Sequence, residues 1–336
     1  MLRSHIEGRE RRWHNRDTNR HSRPFEWGIE HLGLNIDLNN GADPRDALAR
    51  YADDAVAESD RFYTPEPCDS FEFDGFNLSF PSPLESPYAV NNVVRGRFFD
   101  GGGRLAVIVL PQWNAQPGSH LGLCRILARF GVSALRMSLP YHDQRRPDHL
   151  ERAEYLVGPS VGRTMATNRQ AILEVRRAAD WLESRGYERL GVLGTSIGSC
   201  VGFLAMAHDE RLEYNAYIHV SSLFADVVWN GLSTSHVRES LESGVGLDEL
   251  RRLWAPISPL PFIPRMRGSR KPMLFLAGRY DLSFPYDLTE LAFTEFERHD
   301  IRHERIILPC GHYTMAMFPF REIVGFSVVK FFRRYR

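Results

Sequence analysis

Lysine is almost missing from this chain: Lys271 and Lys330 are the only two, and arginine carries the rest of the positive charge. We read that bias as the mark of a GC-rich bacterial genome rather than of function. Net charge is missing as well, since 42 basic residues balance 42 acidic ones. Without a global positive field the chain is not built to be drawn onto nucleic acid. Long apolar runs are absent too. No stretch approaches the ~18 residues of a membrane helix, and no apolar block with a small-residue cleavage site follows the start. Cysteines are few, and Cys68, Cys124, Cys200 and Cys310 stand far apart with no C-x-x-C pair. That excludes zinc-finger spacing and a disulfide scaffold, and implies free thiols in a reducing cytoplasm. Neither G-x-x-x-x-G-K-S/T nor H-E-x-x-H occurs, which removes P-loop and zincin chemistry. No metal and no cofactor is expected.

What is present reads as a globular protein. The 336 residues are 43% hydrophobic and 25% charged, which excludes wholesale disorder. That length allows two domains at roughly 150 residues each, although α/β folds often run larger as one unit. Residues 1–30 are polar and arginine-rich, with Glu7, Glu10 and Asp17 interrupting the basic run. The acids argue against a transit peptide, and a solvated or loosely docked arm is expected. It belongs to an N-terminal extension over 1–69, helical over 43–60, where Ala47, Leu48 and Tyr51 share one side.

From Ser70 the pattern changes to period two. Phe71 and Phe73, then Phe76, Leu78 and Phe80, alternate around Asp74-Gly75, a hairpin turn signal. Val93–Phe99 alternates again, and Leu105–Leu110 is a continuous apolar run of the kind buried on both faces of a sheet. Further strands are expected over 132–138, 189–194, 215–220, 272–277 and 304–308. Helices alternate with them: Ile172, Val175, Ala179 and Leu182 recur at helical spacing, and a last helix covers about 318–334. The expected domain, 70–336, is α/β: a mostly parallel, doubly wound sheet flanked by helices. Only 222–270 breaks the alternation. It is too long for an ordinary connection and reads as a helical cap insertion.

One short pattern carries chemistry. Leu190–Gly194 reads as a buried strand and runs into Gly194-Thr195-Ser196-Ile197-Gly198, with a helix-like continuation to His208. In G-x-S-x-G the serine sits on a strained strand-to-helix turn that lifts its hydroxyl above the sheet. The N–H of Ile197 then opens a helix, whose dipole favours a negative oxygen. Alone the pattern is weak, since a plain strand-to-helix turn gives it too.

A serine hydroxyl needs a base, and the base an orienting carboxylate. Asp281 follows the strand 272–277 in Gly278-Arg-Tyr-Asp281, on a loop closed by Pro285. His312 follows the strand ending at Leu308, in Pro309-Cys-Gly-His312. Each has a blander reading, Asp281 as a turn former and His312 as one of 13 histidines. Asp226, past the strand ending at Val220, is a rival acid. Chain order disfavours His142 as the base, since it precedes the serine. Order and strand-end placement together are far more specific than any single member.

Over about 70–336 the chain resembles the α/β-hydrolase superfamily, on the stretches Leu105–Asn114, Gly194–Gly198, Gly278–Asp281 and Gly311-His312. Pro24–Gly28, Leu110–Ala115 and Leu139–His142 resemble, more narrowly, the poorly characterised branch containing abhydrolase domain-containing protein 18. The resemblance implies a serine hydrolase fold and a triad of Ser196, Asp281 and His312, and leaves the substrate open. One departure matters: where many of these proteins carry His-Gly, this chain has Pro111, which has no N–H to donate. The second oxyanion donor, beside Ile197, is then Trp113, with Gln112 as the alternative.

The expected activity is carboxylic-ester hydrolysis through an acyl-enzyme on Ser196. The alternative is a non-catalytic hydrolase-fold binding or scaffolding protein. A small-molecule ester is the expected partner, with no nucleic acid and no stable membrane insertion. Tyr141 and His142, after the strand 132–138, and Trp229 and Trp254, in the insertion, are substrate-pocket candidates. Arg145 or Arg146 is either a holder of an acidic substrate group or a solvated loop charge.

Overall fold

The computed structural model describes residues 2–34 and 41–336. The part of the expected extension at 35–40 lies outside them. The sheet opens as the alternation predicts. Asp74-Gly75 turns β1 (Glu72–Phe73) into β2 (Asn77–Pro81), with the Asp74 carboxylate accepting the N–H groups of Phe76 and Asn77 and Gly75 at φ 98°. β3 (Val93–Phe99) pairs with β2, again antiparallel. Then come β4 (Leu105–Leu110), β5 (Ser133–Met137), β6 (Arg189–Thr195), β7 (Leu212–Ile218), β8 (Met273–Gly278) and β9 (Glu304–Leu308). The nine strands form one sheet in the order β1-β2-β3-β5-β4-β6-β7-β8-β9. β3 meets β5 antiparallel, and every pair beyond is parallel.

Side chains alternate across the parallel strands. Leu105, Val107 and Val109 face α4 (Leu121–Arg129) and α11 (Phe320–Arg333). Ala106, Ile108 and Leu110 face α5 (Val161–Ser184), α6 (Ile197–Ala207) and α10 (Tyr286–Arg298). That is why β4 reads as unbroken apolar sequence. Residues 222–270 contain α7 (Phe224–Asn230), α8 (Ser235–Leu241) and α9 (Leu247–Leu253), joined by 3-10 turns.

The N-terminal residues are not a solvated arm. α1 (Leu2–His14) buries Ile6 and Glu10, and further on Glu26 bridges to Ser160. α2 (Pro44–Ala57) and α3 (Ser59–Phe62) add Leu48, Ala55 and Phe62 to the same core as α5 and α6. Tyr63 donates its hydroxyl proton to the Pro256 carbonyl. The sequence hides this docking because the sites that receive it lie far along the chain.

Candidate active site

Five strand ends lie almost level. Leu110 pairs with Gly194, Thr195 with Ile218, Ile218 with Leu276, and Gly278 with Leu308. The chain leaving these ends carries Gln112 and Trp113, Ser196, His219, Asp281 and His312 in turn. They converge on the crevice outside the carboxyl edge of the sheet, where open α/β sheets bind ligands.

Ser196 has φ 57° and ψ −120°. Such a conformation costs a residue with a Cβ on the order of 1–3 kcal/mol, and the surroundings must impose it. Its N–H donates to the Ile218 carbonyl at 2.8 Å. Ser199 Oγ sits 2.9 Å from the Gly194 carbonyl and 2.7 Å from that of Ile218, tying the first turn of α6 to both strands. The flanking glycines are required by distance. A Cβ on Gly194 would stand 2.3 Å from the Gly198 oxygen, and one on Gly198 2.5 Å from the Leu110 oxygen. α6 starts at Ile197, so that N–H is among the donors a helix start leaves unpaired.

The carboxylate of Asp281 is fully engaged. Oδ1 accepts the N–H groups of Ser283 at 2.8 Å and Phe284 at 2.7 Å, and Oδ2 accepts His312 Nδ1–H at 2.9 Å. Because a carboxylate only accepts, Nδ1 of His312 holds the proton and Nε2 is free to take one. The His312 ring is clamped between His219, with centroids 4.0 Å apart, and Phe284, at 5.1 Å. Burial by itself would raise the Asp281 pKa, but His312 and His219 outweigh it and hold it well below the usual carboxylate range. Burial opposes protonation of His312, yet the charge of Asp281 prevails and its pKa is raised. Ser196 Oγ makes no hydrogen bond among the described residues.

His219 is absent from the sequence reading, which carries that strand to Val220. β7 in fact ends at Ile218, and His219 turns out of it at φ 60°. The strand-end rule that selected the other residues selects it too once the boundary is right. Its Nδ1 lies 2.8 Å from Asp281 Oδ2, but the N–H direction misses the oxygen and leaves Nδ1 without an aligned partner. Burial pushes its pKa down to about 4, so it is neutral. Among the described residues, His219, Asp281 and His312 also form a cluster of possible metal ligands, their donor atoms all within 4.8 Å of one another. Asp281 already spends both oxygens on N–H donors.

Asp226, the rival acid, lies elsewhere. Its two oxygens take the Arg251 guanidinium at 2.6 and 2.9 Å, which ties α7 to α9. The loop after β4 is fixed from two sides. The Trp113 indole donates to the Ala153 carbonyl at 2.9 Å. The Asn114 N–H donates to His142 Nε2 at 2.9 Å, and His142 Nδ1–H donates to the Pro140 carbonyl at 2.9 Å. Burial holds His142 neutral, with its pKa lowered to about 4. His142 is therefore a brace behind the loop after β4 and not a pocket wall. Tyr141 packs against Tyr88 and Tyr155, also behind the loop. Arg145 is neither solvated nor in the crevice: it is fully buried and grips Glu174 at 2.5 and 2.7 Å.

A cavity of about 1320 Å³ opens over Ser196, with Gln112, Trp113, Ile197, His219 and His312 in its wall. Leu223, Phe224 and Val227 from the insertion face Leu123 and Ile126 of α4 and Val324 of α11 across it. Trp254 and Trp229 do not line it. Trp254 is in the core, donating to the Val161 carbonyl at 3.1 Å, and Trp229 lies by a separate groove next to Gly244. The N-terminal residues Trp13, Asp17 and Arg20 complete the mouth.

No protein-family model matches the chain, and no curated protein matches it in sequence. Solved structures do. An esterase from Pyrococcus furiosus is 13% identical, covering 81% of this chain and 98% of its own, with a TM-score of 0.54. Acetyl xylan esterase from Paenibacillus sp. R4 is 14% identical over 84% of this chain and 93% of its own, at 0.59. Acylaminoacyl peptidase from Pyrococcus horikoshii reaches 0.60 at 12% identity, over 79% of this chain but 42% of its own. At such identities the likeness concerns architecture, and with the nine-stranded sheet it gives this chain the α/β-hydrolase fold.

Proposed function

We propose that the chain is a serine hydrolase acting on carboxylic esters, from the branch of the α/β-hydrolases that holds abhydrolase domain-containing protein 18. The carrying observation is the junction of Ser196, held at φ 57°, with a buried Asp281–His312 pair at 2.9 Å in one crevice. Ser196 Oγ attacks the acyl carbon while His312 Nε2 takes its proton, and Asp281 balances the imidazolium. Ile197 and Trp113 give their N–H groups to the developing oxyanion, with Gln112 as the other donor in reach of the same wall. His312 then returns the proton to the leaving alcohol, and water repeats the cycle on the acyl-enzyme. The apolar walls from α4, α7 and α11 favour an aliphatic acyl group.

A fluorophosphonate probe tests this directly, because an unactivated serine ignores such reagents. One covalent adduct on Ser196 is expected by mass spectrometry, and none in Ser196→Ala. Undiminished labelling of Ser196→Ala would remove the assignment. A wild-type protein that neither labels nor hydrolyses activated esters would be a binding protein on a hydrolase fold.

A further inference from the structure

α1 reaches the catalytic histidine from the other end of the chain. Of its thirteen residues only Ile6 and Glu10 are buried, and Glu10 is 0% exposed. Its Oε2 accepts the N–H of Tyr313 at 2.9 Å and its Oε1 that of Thr314 at 2.9 Å. These are the two residues after His312, where a 3-10 turn (Thr314–Ala316) begins and leaves N–H groups without partners. Gly311, on the other side of His312, is shaped for the same contact. A Cβ there would stand 2.4 Å from Glu10 Cδ.

We propose that Glu10 is a positioning residue for His312: by clamping the Tyr313–Thr314 backbone, α1 makes the histidine loop competent for proton transfer. The proposal rests on the reading of Ser196 and His312 as a catalytic pair. The clamp is reciprocal. A polar helix of this length is marginal in water, so docking through Glu10 also holds α1 in place. The groups facing the contact are few. Arg9 turns away to Met317 Sδ, Arg20 donates to the Tyr313 hydroxyl at 3.1 Å, and Asp17 pairs with Arg20 at 3.0 Å. Cys310 lies next to Gly311, and beyond the ring of His312 stand Asp281 and His219. For His312, burial works against protonation, while Asp281 foremost and Glu10 in addition favour it.

The test uses the full-length chain with Glu10→Gln and Glu10→Ala, a fluorophosphonate probe and p-nitrophenyl butyrate between pH 5 and 9. Both variants are expected to lose on the order of tenfold or more in labelling rate and kcat, as displaced catalytic groups do, with KM nearly unchanged. The acid limb of kcat/KM should move to lower pH, because removing a negative charge near the imidazolium makes it easier to deprotonate. Gly311→Ala, which expels the Glu10 carboxylate, should cost as much in the wild-type chain and little on top of Glu10→Ala. Unchanged labelling rate, kcat and acid limb in both Glu10 variants would overturn the proposal. So would a fall in melting temperature alone, which reduces Glu10 to a structural contact. A wild-type chain in which Ser196 does not label would instead defeat the reading of the catalytic pair.

Discussion

In the proposed reaction, Asp281 is the residue on which the chemistry turns. The His312 and His219 rings hold its carboxylate well below the usual carboxylate range, and His312 is held in one tautomer by its bond to it. Asp281→Asn removes the charge and reverses the tautomer, and a loss of 10³–10⁴ in kcat is expected. Asp226→Asn should leave kcat within a few fold and lower stability instead, since Asp226 serves Arg251. The reverse outcome in esterase assays would mean that the wrong carboxylate has been chosen. For the base the sign is fixed by its raised pKa. His312 must be neutral, so activity falls as pH drops, through a limb above the ordinary imidazole value of about 6.5. A flat profile from pH 5 to 8 would exclude a histidine base. The meeting of Ser196, Asp281 and His312 in one crevice was legible because each follows a strand end within a glycine-containing turn. His219 was not, because a two-residue error at the end of β7 placed it inside a strand. Glu10 was beyond sequence reasoning, since its partner Tyr313 is 303 positions away and nothing local marks the pairing.

Strands and helices set what the site accepts. On sequence, Trp229 and Trp254 are the pocket candidates within 222–270, but composition does not say which face of a short helix meets the cavity. Leu223, Phe224, Val227 and Val228 do meet it, while Trp254 packs edge-on to Phe224 in the core. In the proposed acyl-enzyme, the acyl chain on Ser196 would run between α7 on one side and α4 and α11 on the other. We expect kcat/KM to rise from acetyl through butyryl to hexanoyl esters by ~0.8 kcal/mol per buried methylene, about fourfold each. Val227→Ala should flatten that rise. Trp254→Ala should keep it while costing about 3–5 kcal/mol of stability, the usual range for emptying a packed aromatic site. Acetyl esters preferred over hexanoyl ones would show that the apolar walls pack the insertion and do not hold an acyl chain. Element positions within the sheet were readable to within a few residues, because two-faced burial writes itself into sequence as an apolar run. The role of each insertion helix was not, since it depends on orientation against elements that, like α4 and α11 for α7, lie 90 residues or more away in the chain.

At the scale of the whole molecule, folding takes histidines out of water in several places: Tyr63 of the extension and Phe262 of the insertion pack on His208, the loop after β4 covers His142, and His219 stacks on His312. His142, His208 and His219 are all buried, and burial is the leading cause that takes each pKa down to about 4. The unfolded chain binds protons at these positions from about pH 6.5 downward, whereas the folded chain binds them only near pH 4. Stability must then fall as pH drops through that window, because the unfolded state takes up more protons. Each such histidine contributes about 1.4 kcal/mol per pH unit, so the three together contribute ~4 kcal/mol per unit as an upper figure. His312 acts in a different window. Its raised pKa adds stability that is complete below about pH 6.5 and is lost as pH climbs through the raised value. The two effects place the maximum of stability near neutrality and make the acid side the steeper one. Urea unfolding at pH 7.5, 6.5 and 5.5 should show midpoints that change little in the first step and drop sharply in the second. His142→Phe, which keeps the ring and removes the titrating group, should reduce the drop at pH 5.5 while lowering stability at pH 7.5 through the lost Asn114 and Pro140 hydrogen bonds. Equal midpoints at pH 6.5 and 5.5 in the wild-type chain would mean that these histidines are protonated in the folded state and that burial does not hold them neutral.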